Sequence, residues 1–183
     1  MSLTQYYTAT TLDGFIADEE HSLEWLFSRN QDRAGPLNYA DFVARVGAVA
    51  MGSTTYEWIL EHDRKDKDPA DWKWPYDVPS WVFTHRQLEV VPGGAITFTS
   101  DDVAAVHEEM VAAAGDRNVW IVGGGDLAGQ FVDRGLLDEL IVYVAPVTLG
   151  VGAPLLPRRV ELRLEETAQN GDFVTARYSV VRG

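Results

Sequence analysis

The chain has 183 residues, no cysteine and a formal net charge of −13 at pH 7. This length suits a single domain with a sizeable core, and the lack of cysteine excludes disulfides, thiolate metal sites and a catalytic thiol. A strongly acidic chain repels nucleic acid and anionic membranes, so neither is expected as a partner. The N-terminus has no signal-peptide pattern and no apolar run approaches the ~18 residues of a membrane span, which predicts a cytoplasmic protein.

Strands, helices and loops alternate in the first half of the chain. Tyr and Thr enrichment predicts a strand over residues 3–10, and an Asp-Gly turn signal predicts a loop over residues 12–18. A short helix is expected over residues 36–46, an apolar strand buried on both faces over residues 47–51, and a hydroxyl-capped helix over residues 53–60. Residues 62–78 read as a long surface loop, whose Trp72 and Trp74 either anchor it or contact a ligand.

The second half continues this alternation and then changes character. The predicted elements are strands at 80–84, 95–99, 119–122 and 140–145, a helix between Ser100 and Gly115, and a helix at 126–134. Period-2 alternation over residues 160–165, the Asn170-Gly171 turn signal and a returning strand at 173–181 predict an antiparallel hairpin. We therefore expect one α/β domain over residues 1–183, with a single mixed, mostly parallel sheet flanked by helices and a C-terminal antiparallel hairpin.

A glycine-rich junction between a strand and a helix is the strongest local feature. Val122 ends the strand, Gly123, Gly124 and Gly125 follow, and Asp126 begins the helix. Phosphate binding needs close backbone approach and several N–H groups that point one way, and a helix N-terminus supplies them together with a partial positive charge. A tight turn with positive φ is the alternative explanation. The run is not the G-x-G-x-x-G fingerprint and lies late in the chain, which disfavours an ordinary Rossmann fold.

Two further segments repeat parts of this chemistry. Gly52 is followed by Ser53, Thr54 and Thr55 at a predicted strand-to-helix junction, where the hydroxyls either bind a second phosphate or cap the helix. Residues 84–86, Thr-His-Arg, follow a strand and either grip a ribose phosphate or form a solvated turn. His107 has no second histidine at metal-ligand spacing, so it is predicted to lie on a solvated helix face and no metal is expected.

Four segments, taken in order, resemble the dihydrofolate reductase superfamily, and in particular the reductase domain of bacterial riboflavin biosynthesis. Residues 11–17 (Thr-Leu-Asp-Gly-Phe-Ile-Ala) resemble its segment after the first strand, and residues 51–57 (Met-Gly-Ser-Thr-Thr-Tyr-Glu) resemble its M-G-R-x-T-[YW]-E motif. Residues 121–125 match the cofactor turn, and residues 137–140 with 145–154 resemble the riboflavin branch's D-E-L … P-x-x-x-G-x-G-A-P pattern.

This resemblance implies an oxidoreductase that takes its hydride from NADPH. The pyrophosphate would be lined on one side by residues 123–125, Asp126 and Leu127, and on the other side by residues 53–55. Thr84, His85 and Arg86 would lie near the 2′-phosphate, and Ala9 and Ile16 near the nicotinamide. Ser53 replaces the arginine of the family motif, so either Arg86 compensates or the preference for NADPH over NADH is weak.

Reduction also needs a proton, which a carboxyl group at the pocket could supply. Asp13 and Glu24 are the candidates, and Trp25 could stack on a substrate ring. A turn role for Asp13 and a first-turn helix role for Glu24 are the structural alternatives.

The expected reaction is of the 5-amino-6-(5-phosphoribosylamino)uracil reductase type, or reduction of a related pterin or pyrimidine. The alternatives are dihydrofolate reduction and a cofactor-binding protein without turnover. The resemblance also implies a homodimer, formed through the C-terminal hairpin edge.

Overall fold

The computed structural model describes residues 2–68 and 71–182. In chain order its elements are β1 (Thr4–Thr11), β2 (Phe15–Ala17), α1 (Glu24–Phe27), α2 (Tyr39–Val43), β3 (Val46–Gly52), α3 (Ser53–Arg64), β4 (Ser80–Phe83), β5 (Ile96–Thr99), α4 (Val103–Ala114), β6 (Asn118–Gly123), α5 (Gly125–Asp133), β7 (Glu139–Ala145), β8 (Ala153–Pro154), β9 (Leu162–Asn170) and β10 (Phe173–Val180). Among these, no helix is long and apolar enough to span a membrane.

Eight strands form one sheet in the order β5-β4-β3-β6-β1-β7-β10-β9, and β2 pairs with β8 in a separate small ladder. Neighbouring strands run parallel from β5 to β7. β10 is antiparallel to both β7 and β9. The predicted mixed, mostly parallel sheet with a C-terminal antiparallel hairpin is therefore confirmed.

Apolar side chains fill both faces of the sheet. On one face, Met110 of α4 and Phe131 of α5 are fully buried with Tyr6 and Ile121 of the sheet. On the other face, α1, α2 and α3 pack their apolar side chains against the sheet. The all-apolar strand β3 is buried through its first six residues because helices cover it on both sides.

The N-terminal caps of three helices differ from the expected ones. Asp102, not Ser100, caps α4, since its carboxylate accepts a hydrogen bond from the Ala104 amide, and Gly115 ends the helix with φ +63°. The cap of α3 is Gly52, which has no side chain, rather than Ser53. Helix α2 begins only at Tyr39, because Leu37 has φ +56° and the Asn38 side chain accepts a hydrogen bond from Asp41.

Residues 62–78 are only partly the predicted loop, since α3 continues to Arg64. Its two tryptophans anchor it, as one of the alternatives proposed. Trp74 is buried and its Nε1 donates to Ser80 Oγ at 3.0 Å. Trp72 Nε1 donates to Asp63 at 2.8 Å, and the Arg64 guanidinium lies 4.4 Å from the Trp72 ring. Pro69 and Ala70, at the centre of this predicted loop, lie outside the described residues.

Candidate cofactor and substrate site

Two helices begin side by side at one edge of the sheet. Strands β3 and β6 are parallel neighbours with Met51 opposite Gly123, so α3 and α5 both start at the carboxyl ends of adjacent strands. Neither N-cap residue, Gly52 or Gly124, offers a side-chain hydrogen bond to its helix. The first-turn amides of both helices are therefore not capped by these residues, and their partial positive charges add at this edge.

Each glycine of the turn also meets a steric requirement of the chain itself. Gly124 has φ +99°, a conformation that side chains disfavour. A Cβ atom on Gly123 would lie 2.7 Å from Thr55 Oγ1, and one on Gly125 would collide with the carbonyl oxygen of Pro154. The fold itself therefore explains the three glycines. Their number is not evidence of a bound phosphate, contrary to the interpretation drawn from the sequence. The convergence of two helix N-termini is the stronger indication.

A cavity of about 390 Å³ lies against this turn, and we call it the glycine-turn cavity. The residues predicted for a cofactor that line it are Ile16, Thr54, Thr55, Val122, Gly123, Gly124, Gly125 and Asp126. The Asp126 carboxylate is paired with Arg158 at 3.0 Å. Hydrogen bonds from Gln130 and Arg158 lower the pKa of Asp126, so the carboxylate stays ionised while Arg158 offsets its charge.

The remaining cofactor predictions fall around this cavity rather than on its wall. Gly52 and Ser53 lie at the start of α3, and the space in front of the Gly52 Cα is open, since a Cβ there would meet nothing within 4 Å. Leu127 is buried in the core. Ala9 lines a second cavity, described below.

Residues 84–86 form a compact turn beside α3. The Arg86 amide donates to Thr84 Oγ1 at 3.0 Å, and His85 is exposed. The Arg86 guanidinium forms a two-pronged ion pair with Glu57 at 3.1 and 2.6 Å. The side chain predicted to read a 2′-phosphate is therefore already occupied by a carboxylate.

The two predicted proton donors line neither the glycine-turn cavity nor the cavity that Ala9 lines. Asp13 accepts hydrogen bonds from Thr11 Oγ1 and from the Leu149 and Gly150 amides. These bonds lower the pKa of Asp13 and keep it ionised, and the bond from the Thr11 hydroxyl has the largest effect. Glu24 is exposed and lines an acidic surface groove beside α3.

The structure places Trp25, the predicted stacking residue, in the core. Its side chain is buried, and it is not among the residues that line either cavity. The aromatic groups that do face a cavity come from elsewhere in the chain.

A second cavity of about 510 Å³ adjoins the first, and we call it the aromatic chamber. Side chains of Thr8, Leu23, Trp58, Ile59, Tyr76 and Val122 line both cavities. The chamber also has ring walls from Tyr7, Phe27, Tyr39, Trp120, Tyr143 and Phe173. Burial raises the pKa of Tyr76 far above its ordinary value, so this phenol keeps its proton.

Sequence reasoning missed most of this chamber and part of the first cavity. Thr54, Trp58 and His62 recur at four-residue spacing on α3 and therefore share one face, a signal that was available in the sequence. His21 also lines the glycine-turn cavity. Its backbone has φ +60°, a conformation for which we see no local sequence signal. Within the described residues, no group of three or more His, Asp or Glu side chains is placed to hold a metal ion.

The chain has a dihydrofolate reductase-like fold. The chain matches the RibD C-terminal domain model over residues 4–172 and belongs to that family. The uncharacterized protein YwjB of Bacillus subtilis is 34% identical over 179 residues, which cover 96% of each chain. These findings confirm the resemblance to riboflavin-type reductase domains.

Solved structures of other proteins share the fold. A putative riboflavin biosynthesis protein from Shewanella sp. PV-4 has a TM-score of 0.77 at 24% identity, covering 98% of this chain and 99% of that one. A deaminase/5-amino-6-(5-phosphoribosylamino)uracil reductase from Thermotoga maritima has a TM-score of 0.67 at 16% identity, covering 98% and 57%. Dihydrofolate reductase from Enterococcus faecalis, complexed with NADP(H), has a TM-score of 0.55 at 13% identity, covering 97% and 96%.

Proposed function

We propose that the protein is an NADPH-dependent oxidoreductase that reduces a small heterocycle of the pyrimidine or pterin class. The observation that carries the proposal is the meeting of two helix N-termini at a cavity that opens into an aromatic chamber. A family of riboflavin-type reductase domains and a structural neighbour complexed with NADP(H) support it.

The residues of the glycine-turn cavity fit a dinucleotide. Backbone amides at the starts of α3 and α5 would bind the pyrophosphate, and the open space at Gly52 leaves room for close approach. Ile16, Val122 and Ile59 supply an apolar wall suited to the nicotinamide. When bound, NADPH supplies a hydride for the substrate.

Side chains shared by the two cavities would orient the reacting rings. Trp58, Ile59 and Val122 border both spaces, so a ring in the chamber and a ring in the glycine-turn cavity would both contact them and exclude water. Asp13 and Glu24 remain the sequence-based proposals for the proton donor, and Asp13, which is held ionised, would have to take up a proton before it could donate one. His21, which lines the glycine-turn cavity directly, is a further candidate.

A cofactor-binding protein without turnover is the second candidate function. It is favoured by one observation, namely that neither Asp13 nor Glu24 lines the two adjoining cavities. NADPH binding with no NADPH oxidation across uracil, pterin and dihydrofolate substrates would support this alternative.

The direct test is thermal unfolding with NADPH, with NADH and without ligand. At a ligand concentration of about 100 times Kd, binding stabilises the fold by about 2.7 kcal/mol. For a domain of this size, that is a shift of roughly 5–10 °C. The absence of a shift with either nucleotide would overturn the proposal.

Gly52→Val tests where the nucleotide binds. Its Cβ enters open space, so the unliganded fold should survive with a loss of about 1 kcal/mol at the helix cap. We expect the unliganded Tm to fall by only a few degrees while the NADPH-induced shift disappears. An unchanged NADPH shift would place the nucleotide elsewhere.

A further inference from the structure

The aromatic chamber is built from flat rings. The rings of Phe27 and His62 are stacked at 5.2 Å with an interplanar angle of 8°, and those of His62 and Trp58 at 4.4 Å with 15°. Trp120 meets Tyr39 at 5.8 Å and Tyr76 at 5.6 Å in edge-to-face contacts. Such walls favour a planar ligand that can stack or insert between rings.

The chamber's charged lining is acidic. Among the described residues that line it, Asp63 is the only carboxylate, and no Lys or Arg is present. A hydrogen bond from Lys67, together with one from Trp72, lowers the pKa of Asp63, so it is ionised. Lys67 and Trp72 each occupy one Asp63 oxygen, so the charge of the carboxylate is partly offset, and each oxygen keeps a further acceptor position for a ligand.

Cations close to the chamber are already paired with carboxylates. Lys67 pairs with Asp63 itself at 2.8 Å, while Arg64 pairs with Glu89 at 2.7 Å and lies over the Trp72 ring. The neighbouring groove, which shares Leu23, Phe27, Trp58 and His62 with the chamber, adds four carboxylates and one lysine among its described residues: Glu20, Glu24, Glu57, Glu61 and Lys65. Because Glu57 is paired with Arg86, the net negative charge of this approach comes from the other three glutamates.

These charges bear on the substrate's form. Phosphate groups are normally recognised by Arg, Lys or helix N-termini, and an unpaired anion facing a carboxylate is destabilised. The helix N-termini of this site lie at the glycine-turn cavity, where the cofactor's phosphates would bind. Nothing comparable lines the described part of the chamber.

We propose that the aromatic chamber takes a planar heterocycle that carries no phosphate, is neutral or cationic, and presents N–H donors to Asp63. This proposal rests on the proposed function, because it assigns the chamber to the substrate and the glycine-turn cavity to NADPH. It selects within the heterocycle class, against phosphoribosylated uracils and in favour of their unphosphorylated counterparts or free pterins.

The test compares 5-amino-6-ribosylaminouracil with its 5′-phosphate, and includes pterin as a flat probe without a sugar. Each is titrated into protein saturated with NADP⁺, so that no turnover occurs, and binding is followed by tryptophan fluorescence and calorimetry. We expect pterin to bind, and the unphosphorylated uracil to bind at least tenfold more tightly than its phosphate. Equal or tighter binding of the phosphate, or no binding of pterin and the unphosphorylated uracil, overturns the proposal.

Asp63→Asn isolates the carboxylate, and Asp116→Asn, an exposed change of the same charge, is the control. Asp63→Asn should weaken pterin binding. It should also reduce severalfold the ratio of the Kd of the 5′-phosphate to the Kd of the unphosphorylated uracil, whereas the control should leave both quantities unchanged. Identical behaviour of the two variants would contradict the role of Asp63.

The two proposals can fail separately. Loss of the nucleotide-induced Tm shift would overturn the NADPH assignment. The uracil pair, titrated into nucleotide-free protein, would still test the chamber.

Discussion

His107 shows how one side chain can couple the stability of this fold to pH. Its Nε2 lies 2.7 Å from Thr4 Oγ1, and its ring meets Phe131 at 6.0 Å, so it is not on the solvated face that its sequence context predicted. Burial lowers the pKa of His107 more than the nearby Asp138 and Glu108 carboxylates raise it. The folded state therefore binds this proton less readily than the unfolded chain does.

The neutral imidazole should stabilise the fold at neutral pH and lose that effect in acid. Because the folded pKa is depressed, this contribution is complete above the unfolded pKa of about 6.5 and is lost as pH falls towards the folded value. The free energy of unfolding should be measured by urea denaturation at pH 7.5 and pH 5. At pH 7.5 it should be higher for wild type than for His107→Gln by about 0.5–1.5 kcal/mol, the range for one hydrogen bond. The gap should shrink at pH 5, and a pH-independent gap would contradict this assignment.

Individual residues also mark the limit of sequence-based prediction. The turn at residues 123–125 was predicted correctly, since glycine between a strand and a helix is a local signal. The reason for each glycine was not predictable, because Thr55 and Pro154 approach Gly123 and Gly125 only in the folded chain. Trp25 failed as a stacking candidate for the same reason, since tertiary packing decides whether a tryptophan faces a cavity or the core.

At the scale of elements, the contact between α3 and the turn after β4 is expected to control cofactor choice. Glu57 forms a bidentate ion pair with the Arg86 guanidinium, so a 2′-phosphate must displace the Glu57 carboxylate to bind Arg86. An exposed pair of this kind contributes about 0.2–1 kcal/mol. Releasing Arg86 by Glu57→Gln should therefore raise NADPH affinity by up to about fivefold and leave NADH affinity unchanged.

Arg86→Gln should do the reverse and lower NADPH affinity alone. Arg159→Gln removes a similarly charged but 94% exposed side chain and serves as the control. Calorimetric titration of both nucleotides into the three variants measures the effect. Parallel changes in NADPH and NADH affinity would mean that Arg86 does not face the 2′-phosphate.

Elements with a strong local pattern were predictable, and those formed by distant pairing were not. The continuous apolar run of β3 predicts a buried strand, and the apolar periodicity of α4 predicts a helix. Strands β2 and β8 have three and two residues, and they exist only because segments far apart in the chain pair with each other. No local periodicity can reveal such a ladder.

For the whole molecule, the same distinction separates the two cavities. The glycine-turn edge of the first cavity was predictable from its two strand-to-helix junctions, although the sequence does not show that β3 and β6 are neighbours. The aromatic chamber draws on β1, α1, α2, α3, the loop before β4, β6, β7 and β10. Its composition depends on how all these elements pack, which one sequence does not specify.

The hairpin of β9 and β10 is where the homodimer implied by the family resemblance can be tested. β9 is an edge strand of the sheet, and Leu164 and Val174 are 55% and 57% exposed. Leu164 lies opposite Tyr178, and Val174 lies four residues before Tyr178 on the same face of β10, where it pairs with Gln169, so the hairpin carries an interrupted apolar patch near the sheet edge. Burial of this patch between two copies would stabilise a dimer.

We expect wild-type protein to sediment at micromolar concentration with twice the 20.3 kDa mass of the chain. Leu164→Asp should yield monomers, because it would place a charge in the buried patch. Val90→Asp alters a 67% exposed apolar side chain away from the hairpin and should remain dimeric. A monomeric wild type would refute the dimer, and a dimeric Leu164→Asp would move the interface away from the hairpin. Since both cavities lie within one chain, nucleotide-induced Tm shifts should persist in the monomeric variant, and their loss would show that a second copy completes the site.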